Sequence, residues 1–372
     1  MEQTKFDKES QKPLYRQLAD EIRRQIRDGE ILPGQKLMSE SEMLKKYGVG
    51  RLTIRNALQL LVSEGLLKKS QGKGTFCAEA EERKDLNVQV FLNMTDTYFI
   101  PYYVRGISEV LSRSNSNFLI SDTRDDDMTL CALLENVTPK NSSGVIVQCT
   151  DECLNDEVSE RITGIMRDLS DSGIPVIILD GRLNDVNVSC FTLDEIAGGM
   201  RAAEHLAAFG HKKCAFLNFE THRDSRLRFR GFAGGAVKYQ MEKPLEISCK
   251  SEWESEILRA VKDGVTGIFA YNDNAALRCI MALKKEGYGV PEDVSVLGFD
   301  DTYLALACDP QLTSLIHPKE QMGRDAAEAL LTMLATGNTI PVEKKYKTEL
   351  MIRDSTGPAK KARVTYEKLS DI

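Results

Sequence analysis

Residues Leu37–Cys77 read LMSESEMLKKYGVGRLTIRNALQLLVSEGLLKKSQGKGTFC, and this stretch decides the fold of the N-terminal part of the chain. Ser39, followed three residues later by Glu42, predicts a capping box at the start of a short helix that ends near Tyr47. The following Gly-Val-Gly segment permits a tight turn, because glycine adopts backbone angles that other residues resist. The pattern therefore indicates a helix followed by a turn.

A second helix is predicted from about Leu52 to Glu64, closed by Gly65. Its apolar residues recur at i, i+3, i+4 and i+7 and form one stripe that would face a core: Ile54, Ala57, Leu58 and Leu61. The opposite side carries polar residues four apart: Arg51, Arg55 and Gln59. Two short extended stretches, 66–69 and 75–78, then flank SQGKG and predict a hairpin wing with Gln71 and Lys73 at its tip.

This layout is typical of a winged helix-turn-helix that places a helix in the major groove, where arginine can bind guanine through two hydrogen bonds. The alternative is an amphipathic helix with solvated arginines, and it would be preferred for either arginine alone. The capped helix, the glycine turn, the basic face and the basic wing together favour DNA binding.

Residues 13–78 resemble the GntR family of bacterial transcription regulators, beginning with PLYRQLADEIRRQIRDGEILPGQKL and continuing through SEMLKKYGV, the R-x-T-x-R core and G-x-G-T-F. The sequence departs from the family at Met38, where proline is common, and at Leu52, which often is polar or basic in relatives and here is expected to contact a thymine methyl group. The candidate DNA-binding residues are Glu40, Arg51, Leu52, Thr53, Arg55, Gln71, Gly72 and Lys73.

With 372 residues, the chain is long enough for two or more domains. No apolar run approaches the length needed to cross a bilayer, and the N-terminal residues show no secretory signal, so we expect a cytoplasmic, nucleoid-associated bacterial protein. Nine scattered cysteines and four dispersed histidines offer no zinc-binding spacing, and no metal or other cofactor is predicted.

The net charge of −7 conceals an asymmetry between the two parts of the chain. Residues 1–78 carry 15 Lys and Arg against 10 Asp and Glu, whereas the remainder carries 34 against 46. Because phosphate attracts the basic part and repels the acidic part, only the N-terminal part is expected to contact DNA.

The charged segment EAEERKD, residues 79–85, reads as a linker between a DNA-binding domain, 1–78, and a second domain, 86–372. Beyond the linker, short apolar runs such as VQVFLNM, GVIVQC and PVIILDG alternate with helical patterns, which predicts parallel sheets with helices on both faces. Polar residues gather where these runs end, and open α/β sheets bind ligands at the carboxyl ends of their strands.

From residue 86 to about 355, the chain resembles the effector domain of the LacI/GalR repressors and, more distantly, periplasmic sugar-binding proteins. The resemblance rests on DEIAGGMRAAEHLAAFGHKKCAFLN, GIFAYNDNAALRCIMALKKEGYGVPEDVSVLGFDD, PQLTSL and ELMIRDST, while 123–143 match poorly. It implies an α/β fold of two lobes joined by three crossovers, one lobe of about 86–190 and 316–340 and the other of about 191–315 and 341–355. A GntR-type head on such a domain resembles the arabinose-operon repressors (AraR type) of Gram-positive bacteria.

The resemblance implies a sugar in the cleft between the lobes, and polar residues after strands are the candidates to hold it. The candidate effector-binding residues are Phe99, Asp180, Arg228, Trp253, Asn272, Asp300 and His317. Several alternatives stay open. Asp180 would form hydrogen bonds within the crossovers instead of binding the ligand, and Arg228 and Asp300 would form a plain surface ion pair. Phe99 and Trp253 would be ordinary core residues. Asp273 and Asp301 are expected to cap helices or turns, and His205 and His211 are expected to be structural.

An enzymatic function is not predicted. The acidic run DTRDDD, 122–127, would suit Mg²⁺ but has no phosphate-binding glycine loop nearby, and a solvated loop is favoured. No nucleophile elbow is present in the sequence.

The sequence thus predicts a sugar-responsive repressor that binds a palindromic operator in double-stranded DNA as a homodimer and is released by sugar, with L-arabinose preferred on resemblance alone. The alternatives are an activator whose ligand strengthens DNA binding, a sensor of a different carbohydrate, and a metabolite-binding protein whose head mediates only protein contacts.

Overall fold

The computed structural model describes residues 13–70, 72–78, 86–95, 97–114, 116–149, 156–183, 186–218, 223–248 and 252–360. Within these ranges the chain forms an N-terminal head with a two-stranded hairpin, followed by two lobes that are each built on a six-stranded sheet. The predicted linker, 79–85, lies outside the described residues.

The head contains three helices and one antiparallel hairpin. These elements are α1 (Leu14–Arg27), α2 (Glu40–Tyr47), α3 (Arg51–Ser63), β1 (Leu67–Ser70) and β2 (Gly74–Cys77). The predicted capping box is present at the start of α2, because the Ser39 hydroxyl accepts a hydrogen bond from Glu42 N and the Glu42 carboxylate accepts one from Ser39 N over 2.7 Å. Gly48, with φ 65°, ends α2 in the left-handed conformation.

The apolar stripe predicted for α3 packs into the core of the head. Ile54, Ala57 and Leu61 are fully buried there, with Leu58 half-buried beside them. Burial of these side chains against α1 stabilises the helix pair, since each apolar side chain removed from water contributes about 1.5–3 kcal/mol. The polar side of α3 faces away from this core and remains exposed.

The first lobe holds a fully parallel sheet in the order β13-β7-β6-β5-β3-β4. Its strands are β3 (Leu86–Leu92), β4 (Ser116–Asp122), β5 (Gly144–Gln148), β6 (Val176–Leu179), β7 (Ser189–Leu193) and β13 (Glu343–Tyr346). Its helices are α4 (Ile100–Leu111), α5 (Asp127–Glu135), α6 (Asp156–Asp171) and α12 (Lys319–Thr336).

The second lobe holds a sheet in the order β14-β12-β11-β10-β8-β9, in which only the β12–β14 pairing among the described strands is antiparallel. Its strands are β8 (Cys214–Asn218), β9 (Leu245–Ser248), β10 (Gly267–Ala270), β11 (Ser295–Asp300), β12 (Thr313–Ile316) and β14 (Glu349–Met351). Its helices are α7 (Glu195–Ala208), α8 (Arg223–Lys238), α9 (Trp253–Lys262), α10 (Asp273–Lys285) and α11 (Tyr303–Ala307). The predicted α/β class and two-lobed architecture are confirmed.

One predicted lobe boundary is wrong. Residues 341–355 were assigned to the second lobe, but β13 pairs with β7 and so belongs to the first sheet. The third crossing therefore falls between Tyr346 and Glu349, and only β14 returns to the second sheet. A short charged strand such as EKKY carries no local pattern that distinguishes between two sheets. The poorly matching segment 123–143 contains α5, which is capped by Asp126.

Glycines bring two helix pairs into backbone contact. In the first lobe, a Cβ at Gly106 of α4 would lie 2.1 Å from the carbonyl oxygen of Glu320 in α12. In the second lobe, a Cβ at Gly199 of α7 would lie 2.0 Å from the carbonyl oxygen of Arg228 in α8. Each pair can therefore pack this closely only with glycine at the contact, which fixes Arg228 relative to the start of α7.

Candidate functional site

The recognition face of the head is exposed at the N-terminal end of α3. Arg51 opens the helix, Leu52 is 72% exposed, and Thr53 is half-buried. Arg55 is exposed and its Nε lies 3.1 Å from a carboxylate oxygen of Glu40, the first residue of α2. This ion pair orients the Arg55 side chain, so two of the predicted DNA-binding residues lie together at the junction of the two helices.

The wing presents a second basic position. Gly72 and Lys73 are exposed in the turn between β1 and β2, and Gly72 has a φ of 75°, which favours glycine. Gln71, the other residue predicted at the tip, lies outside the described residues. The exposed cations on α3 and the wing are suited to binding phosphates and base edges.

A polar cleft lies between the two lobes, at the carboxyl ends of their strands. It encloses a cavity of about 220 Å³. From the first lobe its lining includes Asn93, Thr95, Phe99, Thr123, Asp125, Gln148 and Asp180. From the second lobe it includes Asp224, Arg228, Tyr271, Asn272 and Asp300. Five of the seven predicted effector-binding residues are thus brought together from positions far apart in the chain.

Arg228 is the central cation of the cleft. Its Nε and Nη2 donate to the two carboxylate oxygens of Glu195 over 2.6 and 3.2 Å, and its Nη1 donates to the carbonyl of Tyr271 over 2.7 Å. The guanidinium lies 3.7 Å from the ring centroid of Phe299. These bonds use three of the five guanidinium N–H groups, which leaves donors for a ligand.

His317 links two cleft carboxylates from behind the cleft floor. Its Nε2 lies 3.3 Å from Asp180 and 3.0 Å from the Tyr103 hydroxyl, and its Nδ1 lies 3.7 Å from Asp300. Burial lowers the pKa of His317, but the neighbouring carboxylates Asp180 and Asp300 outweigh this effect and raise the pKa to about 9. The imidazolium therefore holds both carboxylates ionised at neutral pH and supports them. His317 is predicted to contact the ligand directly, but its side chain is only 1% exposed and lies behind the carboxylates that line the cleft.

Asp300 has bonding capacity that the protein does not use. Within the described residues, its Oδ1 is buried and makes no hydrogen bond, although Arg228 Nη2 lies 3.6 Å away. Both Asp180 and Asp300 have positive φ values, 56° and 98°. Backbone in this conformation persists only where the surrounding structure fixes it, and it is common at ligand sites. The alternative of a plain surface ion pair between Arg228 and Asp300 is wrong, because both side chains are buried and Arg228 pairs more closely with Glu195.

Asn272 has two roles. Its Oδ1 accepts from Ala275 N over 2.8 Å and so caps α10, and the residue also lines the cleft. The prediction that Asp273 caps this helix is wrong: Asp273 is buried and accepts from Thr302 and Ser314. Burial and the nearby Asp300 raise the pKa of Asp273 to about 7.

The expected capping role of Asp301 is also not what the structure shows. Its carboxylate pairs with Arg353 over 2.7 Å, and Thr302 precedes the helix instead. The reason is that β14 brings Arg353 back beside the end of β11. His205 and His211, expected to be structural, are buried and bonded to hydroxyl groups such as that of Thr356.

The two predicted aromatic contacts differ in position. Phe99 lines the cleft, with its ring edge-on to His317 at a centroid distance of 4.9 Å. Trp253 instead lies in the hydrophobic core of the second lobe, 7% exposed, with Arg278 over its ring. Trp253 opens α9, whose apolar face packs inward, so its prediction as an effector contact is wrong.

Sequence reasoning missed several residues of the site, among them Glu195, Asp224 and Tyr271. Asp224 lies one helical turn before Arg228, and this i, i+4 spacing was a signal that could have indicated it. Burial, together with Glu195 and Asp180, raises the pKa of Asp224 to about 7. Tyr271 follows β10 directly and lies 4.7 Å from the Arg228 guanidinium.

Acidic side chains predominate in the cleft. The predicted solvated loop contributes Asp125, Asp126 and Asp127 to its outer part, although Asp126 is engaged as the cap of α5. Ligand atoms of Asp180, Glu195 and His317 lie within 4.8 Å of one another, a spacing that would suit a metal ion. Because Glu195 already binds Arg228 and His317 already binds Asp180, we assign this set to the ion-pair network.

No helix among the described residues combines the length and the hydrophobicity that crossing a bilayer requires.

The comparisons with known proteins follow the same two-part division. The family described as bacterial regulatory proteins, gntR family, matches residues 14–77, and the periplasmic binding protein-like domain matches residues 203–356.

Two similar proteins are arabinose metabolism transcriptional repressors. The one from Geobacillus stearothermophilus is 28% identical over 94% of this chain and 99% of its own length. The one from Halalkalibacterium halodurans is 29% identical over 93% of this chain and 97% of its own length. The HTH-type transcriptional repressor PurR of Mannheimia succiniciproducens is 27% identical over 72% of this chain and 80% of its own length.

Among solved structures, a LacI family transcriptional regulator from Enterococcus faecium with bound ribose superposes with a TM-score of 0.62 at 23% identity. The match covers 74% of this chain and all of that chain. The CelR–cellobiose complex, another transcriptional regulator, gives a TM-score of 0.60 at 22% identity and covers 86% of this chain and all of that one. These similarities show the fold of the two lobes.

Proposed function

We propose that this chain, whose residues 14–77 match the gntR family of bacterial regulatory proteins and whose residues 203–356 match the periplasmic binding protein-like domain, is a sugar-responsive transcription repressor that a sugar releases from its operator. The observation that carries the proposal is the network of Arg228, Glu195, Asp180, Asp300 and His317 between the lobes. It offers free guanidinium donors beside carboxylate acceptors, and adjacent hydroxyl groups of a sugar need both.

The effector is proposed to be a neutral sugar, with L-arabinose preferred because two similar proteins are named arabinose metabolism transcriptional repressors. Phe99 would supply an apolar face for the C–H surface of the ring. Among the described residues that line the cleft, an anionic ligand would face several carboxylates and one guanidinium, which disfavours its binding.

On the DNA side, we propose that Glu40, Arg51, Leu52, Thr53, Arg55, Gln71, Gly72 and Lys73 form the contact surface, in the cytoplasm of a bacterial cell. A homodimer would present two such surfaces to a palindromic site, because two-fold symmetric proteins bind two-fold symmetric DNA. A sugar that contacts both lobes favours the conformation in which the lobes hold it, and it can shift the equilibrium only by its differential affinity for the two conformations. Sugar and operator then weaken each other by the same factor.

Two measurements on the purified full-length protein test the proposal. Thermal unfolding is recorded with L-arabinose, D-xylose, D-ribose, D-galactose and, as an anionic control, D-galacturonate, and the sugar that stabilises the protein is then titrated into its complex with promoter DNA. We expect one neutral sugar to raise the unfolding temperature and to release the DNA. A sugar that strengthens DNA binding would support the alternative of a ligand-dependent activator. If the protein does not bind DNA, or binds it with no dependence on salt, the proposal that it is a transcription regulator is refuted.

A further inference from the structure

The helix α12 connects the floor of the cleft to the N-terminal head. At its first residue, the Lys319 ammonium is buried and donates to the backbone carbonyl groups of Asp300 and His317. With 18 residues, α12 extends about 27 Å away from this point. Its N-terminal end is therefore attached to the same backbone segments that carry the cleft side chains.

α12 and α4 form one rigid pair. A Cβ at Gly323 would lie 2.6 Å from the carbonyl oxygen of Tyr103, so the two helices meet backbone to backbone there and at Gly106. The Tyr103 hydroxyl, on α4, is 3.0 Å from His317 Nε2. Both helices thus begin at the cleft, and any rearrangement of the cleft floor displaces them together because close-packed helices have no room to slide independently.

At the other end, α12 packs against α3 of the head. Arg16 of α1 forms an ion pair with Glu328, which lies nine residues along α12 from Lys319, and their side chains are only 22% and 23% exposed. Glu64, immediately after α3, is buried and is held by Arg23 over 2.6 and 3.0 Å. Burial and the adjacent carboxylates Asp325 and Glu64 raise the pKa of Glu328, whereas Arg16 lowers it.

We propose that the face of α12 around Glu328 is a docking surface for the head of its own chain, and that the state of the cleft reaches the recognition helix through this contact. α3 packs on α12, and Glu64, just after the C-terminal end of α3, is close enough to Glu328 to raise its pKa, while Arg51 and Arg55 at the N-terminal end of α3 remain exposed. The docked head thus has a set orientation relative to the first lobe. The inference deepens the proposed function and rests on it where the sugar signal is concerned.

Charge reversal tests the docking contact. The variants are Arg16→Glu, Glu328→Arg and the double exchange, all in the full-length protein. The matched control is Arg27→Glu, which makes the same charge change on the same helix at a side chain that is 76% exposed and pairs with its neighbour Asp28. Arg16→Gln, a milder change, replaces Arg16→Glu should the reversal impair folding.

The first readout is hydrogen–deuterium exchange without DNA or sugar. We expect faster exchange in α1 and in residues 320–332 of both single variants, and wild-type exchange in the double exchange and the control. Wild-type exchange in both single variants would overturn the docking.

The second readout is the ratio of operator affinity without and with the sugar that releases the wild type. An ion pair of this exposure contributes up to about 1 kcal/mol, so each single variant should reduce the ratio by about two- to fivefold. The double exchange should restore the ratio. Arg27→Glu removes a positive charge from the head and should weaken DNA binding equally with and without sugar, so it should leave the ratio unchanged. An unchanged ratio in the single variants, or a double exchange that restores nothing, would overturn the proposed route. A wild type that responds to no sugar would refute the proposed function, and the exchange result would still decide the docking.

Discussion

Arg228 and Glu195 form a buried ion pair in which two guanidinium nitrogens donate to two carboxylate oxygens, over 2.6 and 3.2 Å. The two residues are 33 positions apart, on α8 and α7, and the helices carrying them touch through Gly199. Asp300 lies farther from Arg228, with its Oδ1 3.6 Å from Nη2, and this oxygen accepts no hydrogen bond from the described residues. The pair therefore positions the cation without using the Asp300 oxygen that the proposed sugar would bind.

Replacing Asp300 by asparagine should weaken sugar binding by roughly ten- to a hundredfold, because a hydrogen bond to a charged group contributes about 1.5–3 kcal/mol and half of the amide is a donor. Operator binding without sugar should stay at the wild-type level, so the variant remains on DNA when sugar is added. Titration calorimetry and operator titration measure the two effects. Asp301→Asn is the matched control, since Asp301 pairs with Arg353; release of Asp300→Asn at the wild-type sugar concentration would remove Asp300 from the site.

Glu195→Gln should lower the free energy of unfolding by about 3 kcal/mol, the lower end of the cost of breaking a buried ion pair, because Asp300 still faces the stranded guanidinium. The matched control is Glu204→Gln on the same helix. The Glu204 carboxylate pairs with Arg201 at the surface, so this variant should lower the free energy of unfolding by less than about 1 kcal/mol. Urea denaturation followed by circular dichroism gives both values. Equal losses in the two variants would mean that the buried ion pair contributes no more to the free energy of unfolding than the surface ion pair does.

Arg55→Ala should cost on the order of 1–3 kcal/mol of operator affinity per half-site and should reduce the discrimination between operator and random DNA, if Arg55 binds a base. Lys73→Ala should instead weaken binding to both DNAs alike and flatten the salt dependence, as loss of a phosphate contact does. Fluorescence anisotropy at several salt concentrations separates the two behaviours. An unchanged ratio of operator to random affinity in Arg55→Ala would show that this arginine reads no base.

The stability contributed by His317 should depend on pH. Its pKa in the folded protein is raised from 6.5 to about 9, so the folded state binds the proton more tightly than the unfolded state does. The wild type should therefore exceed His317→Gln in stability by a margin that is full below pH 6.5 and declines as the pH rises through about 9. The titratable groups that act on the ring are Asp180, Asp300, Tyr103 and Lys319, and all four are present in the wild type and in the variant. A margin that is constant from pH 6 to 9.5 would mean that the imidazole is neutral in the fold.

Much of the head was predictable because its signals are local. The capping box of Ser39 and Glu42, the glycine after α2 and the apolar stripe of α3 each involve residues within seven positions of one another. Short-range periodicity and capping chemistry determine such elements before any tertiary contact forms. The alternation of strands and helices likewise determined the α/β class of the rest, and the polar residues after its strands indicated Asp180, Asn272 and Asp300 as cleft residues, whereas Arg228 was indicated by the family resemblance.

Only the tertiary structure decided which partners these side chains have. Tyr103 and His317 are 214 positions apart, and Arg16 and Glu328 are 312 positions apart, so no local pattern relates them. The same holds for β13, whose charged sequence suits an edge of either sheet, and for Trp253, which an apolar helix face carries into the core. Periodicity specifies which face of an element is buried, whereas the choice of neighbour depends on how whole elements pack, and that free energy is shared among many residues distant in the chain.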